Sequence, residues 1–520
     1  MRRLAVAWIS LMVFFGALWP QPTVDESRYL PQALLHPYPA VPDIPGGVTS
    51  PEDRRSPAAD AGGAAVTHLA GGRPLGTSSA SARLFRTGFG AGEPTLGVTS
   101  DGSIFFQALD GPPKVVRTKD GGRTWKDVSP KIAGRQRHPL TLDPYLYVDP
   151  RTDRVFTYDF YFGCSEISFS DDRGKTWTTT VLNCGLMDHQ NLFAGPPVVS
   201  PTVGYPNVVY TCSTQFGVTI YSVAAQCLKS LDGGITWLPT GTLPYRTQME
   251  EENDLGLEGY CHGAVGHGFV GDDGTVYLPK GLCGQPWLAI SRDEGATWER
   301  VQVADNGMPQ TEIGVYEHET AVAADAKGNV YYFWVAGDRM PYLAISRDGG
   351  KRWSEPMMIG PPGIKESTLP KIDVGAPGKV AIAYYGSTNS PGRPFPQTDD
   401  CKPDPVSCFR ELFFLGPPDP PRYKDVTWNG YMTVSEDVVD RNPTFHTASV
   451  NDPRDPFVRG TCGPIRCKSV YDFIDVVVDR AGQPWAAYVD ICIQVCATKG
   501  PSNVGDEGVL GTIVNAPKLR

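Results

Sequence analysis

The sequence predicts an all-β chain of four-stranded units closed into a ring as a β-propeller, and three observations predict it. An eight-residue phrase built on Asp, Gly and Trp occurs five times, with its aspartates 52, 60, 61 and 55 residues apart. Ahead of these phrases, a strand, a tight turn and a second strand rich in aromatic and β-branched residues recur in seven copies. About 435 residues shared among seven copies give roughly sixty per unit, a four-strand length and a repeat period. Closing the units into a ring removes exposed sheet edges. Seven blades follow from the strand copies; six is the alternative.

Taken in order, the chain opens on Met1-Arg2-Arg3 and an uncharged apolar run from Leu4 to Trp19. That run is short for a bilayer span and suits a secretory signal, so residues 1–22 read as a signal peptide and the protein as secreted. A membrane contact arises only if this segment stays uncleaved. Residues 23–82, rich in Pro, Ala, Gly and Ser, read as a disordered linker, and 83–520 as the propeller.

The inner-strand copies begin near Glu93–Val98, Asp143–Val148, His189–Phe193, His262–Val265, Glu317–Val322, Lys371–Val374 and Tyr471–Val476. Their partners include Ile104–Phe106, Val208–Tyr210, Val276–Leu278, Val330–Tyr332, Val380–Ile382 and Trp485–Ala487. The five phrases run from Thr118 to Trp125, Ser170 to Trp177, Ser230 to Trp237, Ser291 to Trp298 and Ser346 to Trp353. In each, the carboxylate of Asp120, Asp172, Asp232, Asp293 or Asp348 is placed to accept N–H groups across its own turn. The Gly supplies a positive φ and the Trp buries its ring beside the turn. The sixth copy starts a phrase at Trp428–Asp437 and then loses its Gly and Trp; the seventh ends at Glu507–Ile513 with none. One long Pro-rich insertion, Gly386 to about Thr427, reads as a loop on one face.

The phrase resembles the Asp-box (BNR repeat) of the sialidase (neuraminidase) superfamily and other Asp-box β-propellers, over roughly residues 84 to 515. That resemblance implies a propeller with structural boxes on its outer rim. It also implies carbohydrate as the substrate class and, for a sialidase, a Tyr nucleophile with a Glu partner, an Asp acid/base and three arginines. By position, Tyr471 resembles the nucleophile and Glu317 or Glu319 its partner. The first arginine has no counterpart: Gly92-Glu93-Pro94 stands where the family has Arg-Ile-Pro. A carboxylate there repels an anionic sugar instead of clamping it.

Inner strands converge on the propeller axis, so polar residues at their starts form a candidate axial pocket. These are Glu93, Asp143, Asp188, His189, His262, His318, Lys371, Asp472 and Asp475. Carboxylates and imidazoles gathered there run acid–base chemistry, hold a polar ligand, or simply hold water. Calcium is the cation a carboxylate-rich site would take, a transition metal the one for an imidazole cluster.

Two functions follow as expectations. One is a secreted sialidase-like propeller that recognises or hydrolyses carbohydrate at the axial pocket, a glycoside hydrolase if it is an enzyme. The other is a non-catalytic extracellular propeller that binds a protein or polymer partner. A net charge of −10, with no long Lys/Arg run, argues against nucleic acid. Gly-rich phosphate loops, HExxH and GxSxG motifs are absent from the sequence.

Twelve cysteines behind an export signal read as disulfides between sequence neighbours. The pairs expected are Cys164 with Cys184, Cys212 with Cys227, Cys261 with Cys283, Cys401 with Cys408, Cys462 with Cys467, and Cys492 with Cys496.

Overall fold

The computed structural model describes residues 80–520 apart from 132–141, 161–162, 186, 216–223, 247–263, 306–319, 392–423, 461, 463–466, 494 and 499–504, together with the short pieces 59–61, 69–70 and 73–74. The expected signal segment lies outside these residues. Among those described, no helix is long and apolar enough to cross a membrane.

Seven antiparallel sheets stand around one axis, so the ring has seven blades and the six-bladed alternative falls. The inner strands of blades one to seven are Leu96–Val98, Leu142–Val148, Met187–Gly195, Phe269–Val270, Thr320–Ala324, Glu366–Val374 and Asp475–Val478. In blades one to six the chain then steps outward through three more strands before crossing to the next inner strand. Blade seven takes its second and third strands from Pro484–Asp490 and Glu507–Val514. Its fourth strand is Ser81–Gly90, from the other end of the chain, paired from Glu507↔Gly90 to Val514↔Ser81, and the short strand Ala59–Ala61 adds outside it. This exchange closes the ring non-covalently. The strand alternates with one break: Ala82 and Leu84 are buried around exposed Arg83, Leu84 and Phe85 are both buried, and Thr87 and Phe89 are buried between the less buried Arg86, Gly88 and Gly90.

In blade four the expected strand start at His262 lies outside the described residues, Ala264 and Val265 are not in a strand, and the inner strand described is Phe269–Val270. Gly266, Gly268 and Gly271 crowd this stretch, and glycine weakens strand pairing, so only two residues hold the ladder. His267 instead bridges to Ala321 of blade five.

The aromatic second strands fill the gaps between blades. Tyr158, Tyr210, Tyr277, Tyr331, Tyr332, Tyr384, Tyr385 and Tyr488 are all fully buried. Each such side chain contributes roughly 1.5–3 kcal/mol by its burial.

All five eight-residue phrases fold into the same turn between the third and fourth strands of blades one to five. In the first, Asp120 Oδ1 accepts the N–H groups of Arg123 (3.0 Å) and Thr124 (2.9 Å), and Oδ2 accepts the Thr124 hydroxyl (2.7 Å). The leading Thr or Ser works as well: Thr118 Oγ1 donates to Asp120 and accepts the N–H of Gly122, whose φ is 92°. Trp125 is fully buried, whereas Trp177, Trp237, Trp298 and Trp353 are half-buried, because only the first ring packs inside the main core. The incomplete sixth phrase keeps the chemistry with a longer turn: Asp437 Oδ1 accepts the Ser435 hydroxyl (3.0 Å) and the N–H of Thr444 (2.8 Å).

Disulfides join Cys212 to Cys227, Cys462 to Cys467 and Cys492 to Cys496. Cys164 and Cys184 stand opposite one another in the blade-two ladder. Cys283 is disulfide-bonded, and its expected partner Cys261 lies outside the described residues, as do Cys401 and Cys408.

Candidate functional site

The chain enters several inner strands through a left-handed residue that is not glycine. Glu93 (φ 52°), His189 (52°), Leu369 (55°) and Tyr471 (64°) precede the inner strands of blades one, three, six and seven or open them. Each such residue costs about 1 kcal/mol or more against a right-handed or extended one. In blades three and six the ladder slips at these points, between Asp188 and Asn191 and between Thr368 and Lys371. The strained residues therefore sit on the axial face where inner strands begin.

Tyr471 stands on this face ahead of the blade-seven inner strand, half-buried. Its carbonyl accepts the N–H of Cys467 (3.1 Å), so the Cys462–Cys467 disulfide and the short turn Lys468–Val470 hold it from behind. Its ring lies on Gly92: a Cβ built at Gly92 would sit 2.6 Å from both Cδ2 and Cε2 of Tyr471. Gly92 is thus the residue that admits the tyrosine, which gives a steric reason why no arginine stands there. Beside it, Glu93 Oε1 accepts the N–H of Asp472 (3.1 Å), and Asp472 Oδ2 lies 3.6 Å from His189 Nε2. Asp188 Oδ1 accepts the N–H of His189 (2.8 Å). Glu93, His189 and Asp472 are all buried.

Phe473 is buried and packs against this group. Its ring centroid is 5.7 Å from His189, 4.7 Å from His267 and 6.1 Å from Tyr145. The sequence gives no sign of Phe473 and Tyr145, because an apolar or aromatic residue among polar strand starts carries no signal of its own, and His267 is a further histidine beyond the predicted set.

Lys371 and Asp475 belong to a second group beyond this aromatic layer. Lys371 Nζ is 3.5 Å from Asp475 Oδ1 and in close contact with His267 Nδ1. Asp475 Oδ2 accepts the N–H of Leu96 (3.1 Å), and Asp373 Oδ2 that of Val478 (2.7 Å). Each carboxylate thus straps its inner strand to that of the next blade, a structural duty alongside any other. Burial raises the Asp475 carboxyl against the pull of Lys371, and lowers the Lys371 ammonium against the pull of Asp475. Burial also pushes Asp373 up to about 6. These residues line a cavity of about 900 Å³ that runs along the axis to the ends of the inner strands, the face opposite Tyr471. Glu93, His189, Asp472 and Tyr471 are not part of its wall.

The candidate pocket is therefore two sites rather than one. Glu317, His318, Glu319 and His262 lie outside the described residues, as does the side chain of Asp143, so the separation of Tyr471 from either glutamate is not defined. Among the described residues no three His, Cys, Asp or Glu side chains are grouped to hold a metal ion. The long blade-six insertion joins the second and third strands of its blade and so leaves from the face that carries Tyr471.

No family model and no curated protein matches the chain. Solved structures do. A protein of unknown function from Dyadobacter fermentans matches at 16% identity and TM-score 0.40, over 83% of this chain and 98% of that one. NanB sialidase from Streptococcus pneumoniae matches at 11% identity and TM-score 0.37, over 88% and 95%. An α-L-arabinanase from Penicillium chrysogenum, complexed with arabinobiose, matches at 11% identity and TM-score 0.39, over 73% and 94%. Likeness at this level carries no site residue and no activity to this chain. The seven-bladed propeller rests on the chain's own seven sheets and its repeated turn.

Proposed function

We propose that this protein is an extracytoplasmic propeller that recognises carbohydrate on the face where its inner strands begin, with Tyr471 at the centre of the site. The observation that carries this reading is the setting of Tyr471. It is a half-buried aromatic ring seated on Gly92, held in a left-handed conformation by a disulfide-braced turn, with Glu93, Asp472 and His189 beside it. Such a set suits a sugar. An aromatic face takes the C–H surface of a pyranose, and carboxylates and imidazoles exchange hydrogen bonds with its hydroxyls. The lectin, arabinanase and sialidase among the structural neighbours act on or bind carbohydrates by name, which agrees with the reading without carrying it. The apolar run Leu4–Trp19 and the disulfides support export to an oxidising compartment.

Hydrolysis is the second reading, favoured by the strained backbone of Tyr471, since strain of this kind gathers at reactive sites. In it Tyr471 is the nucleophile and Glu317 or Glu319 its base. The test is turnover of a fluorogenic sialoside and a panel of other glycosides by the protein and its Tyr471→Phe variant. Turnover that disappears in the variant selects hydrolysis. No turnover, with saturable binding of a glycan that Tyr471→Ala abolishes, selects recognition. Neither activity on a broad glycan panel overturns the carbohydrate reading and leaves a protein or polymer partner.

A further inference from the structure

The cavity beyond Phe473 contains a charge imbalance that the strand-start face does not use. On its floor two carboxylates, Asp373 and Asp475, face the ammonium of Lys371; Asp149, Asp272 and Asp325 also line the cavity, with Arg151, bonded to Asn207, and Arg520 as its other cations. Lys371 is held by Asp475 at 3.5 Å and by close contact with His267, while Asp373 takes backbone N–H groups from Val478 and Val374 and, among the described residues, has no side-chain cation within ion-pair distance. Arg520, at the mouth, acts on Asp373 only through space. The aspartates nearer the mouth are mostly spent on turns. Asp149 accepts from Tyr205 and Asn207, and Asp325 from Asn329, Tyr331 and Gly378. The apolar part of the wall includes Val98, Val148, Val270, Val374 and Val478 together with Tyr145, Tyr147, Phe193 and Phe269.

We propose that this axial channel is a second ligand site, on the face opposite Tyr471, for a linear alkylammonium of the polyamine kind. Its ammonium pairs with Asp373 and its methylene chain lies along the valines. The volume of about 900 Å³ is that of a small-molecule site. A single carboxylate bonded only to backbone N–H groups, beside aliphatic side chains, suits an ammonium on an apolar stem, whereas calcium needs about six to eight oxygens. A cation there restores charge balance on the floor, which burial otherwise disfavours.

The test is calorimetric titration of the full chain at pH 7.5 with 1,5-diaminopentane, beside 1-pentanol as an uncharged chain of the same length. Asp373→Asn keeps the shape of the side chain and its acceptor for Val478, and melting curves show whether it folds. Saturable binding of the diamine, no binding of the alcohol, and an affinity at least about tenfold weaker in a folded Asp373→Asn variant are expected. An absence of saturable diamine binding, which would mean a channel that holds only water, overturns the proposal. So does binding that is equally strong in Asp373→Asn, or equally strong for 1-pentanol. Tyr471→Ala leaves diamine binding unchanged, so failure here is separable from failure of the carbohydrate reading.

Discussion

Replacing Gly92 by alanine tests the steric argument for the Tyr471 site. The added Cβ would lie 2.6 Å from two ring carbons of Tyr471 and 3.4 Å from Leu109 Cδ2. Contacts near 2.6 Å are not tolerated, so the ring or the backbone must move. Overpacking of this kind costs about 1–3 kcal/mol. For a body of roughly 440 residues the unfolding entropy converts that to a fall in melting temperature of about 1–3 °C. The effect should vanish when the ring is absent. In a double-mutant cycle, Gly92→Ala on a Tyr471→Ala background is expected to be near neutral, giving a coupling of about 1 kcal/mol or more between the sites. The assay is scanning calorimetry of the four proteins, with glycan binding as a second readout. Additive effects of the two substitutions would refute the claim that Gly92 is glycine because of Tyr471.

Other consequences are equally direct. Glu294 Oε1 accepts the N–H groups of Val198, Val199 and Ser200, and Oε2 lies 3.0 Å from Lys229 Nζ, clasping blade three to blade four. Burial alone would raise this carboxyl, but the donors from Ser200, Val199 and Lys229 prevail and hold it at about 2. With its folded value depressed, its stabilisation is present above about pH 4.5 and is lost as pH falls toward 2; Glu294→Gln should cost of order 2–3 kcal/mol at pH 7 and much less at pH 3, read by denaturant unfolding. Asp373 has the opposite sign: a folded value near 6 means its ionisation destabilises as pH rises from about 4 to 6, so Asp373→Asn should raise the melting temperature at pH 7.5 and leave it unchanged at pH 3.5. Leu84 is buried on the strand that closes the ring, so Leu84→Ala should cost about 2–4 kcal/mol and increase proteolysis near residue 81; an unaltered protease pattern would argue against closure by this strand.

The fold was legible because its signals are local. The turn aspartates, their glycines and the aromatic second strands act over fewer than ten residues, and each copy repeats the message. The closing strand was harder to see. Ser81–Gly90 does alternate, but its partner Glu507–Val514 is at the far end of the chain, and its first residues look like the end of the Ala- and Gly-rich linker. At the site, Glu93, His189 and Asp472 were legible as polar strand starts and Tyr471 only through the family resemblance; the structure puts the first three in contact, with the Tyr471 ring on Gly92. The division into two sites was not legible, because it depends on Phe473 and on where the ladders slip, which no spacing rule reports. Nor could sequence tell that Asp475 and Asp373 also serve as straps between blades.

The central claim, that Tyr471 marks a carbohydrate site, is tested most directly by glycan-array binding of the full protein beside a folded Tyr471→Ala variant. The account predicts a defined set of glycans bound by the protein and lost by more than about tenfold in the variant, the scale expected when a stacking ring is removed. Glycans bound equally well by both proteins, or none bound or cleaved by either, would contradict it.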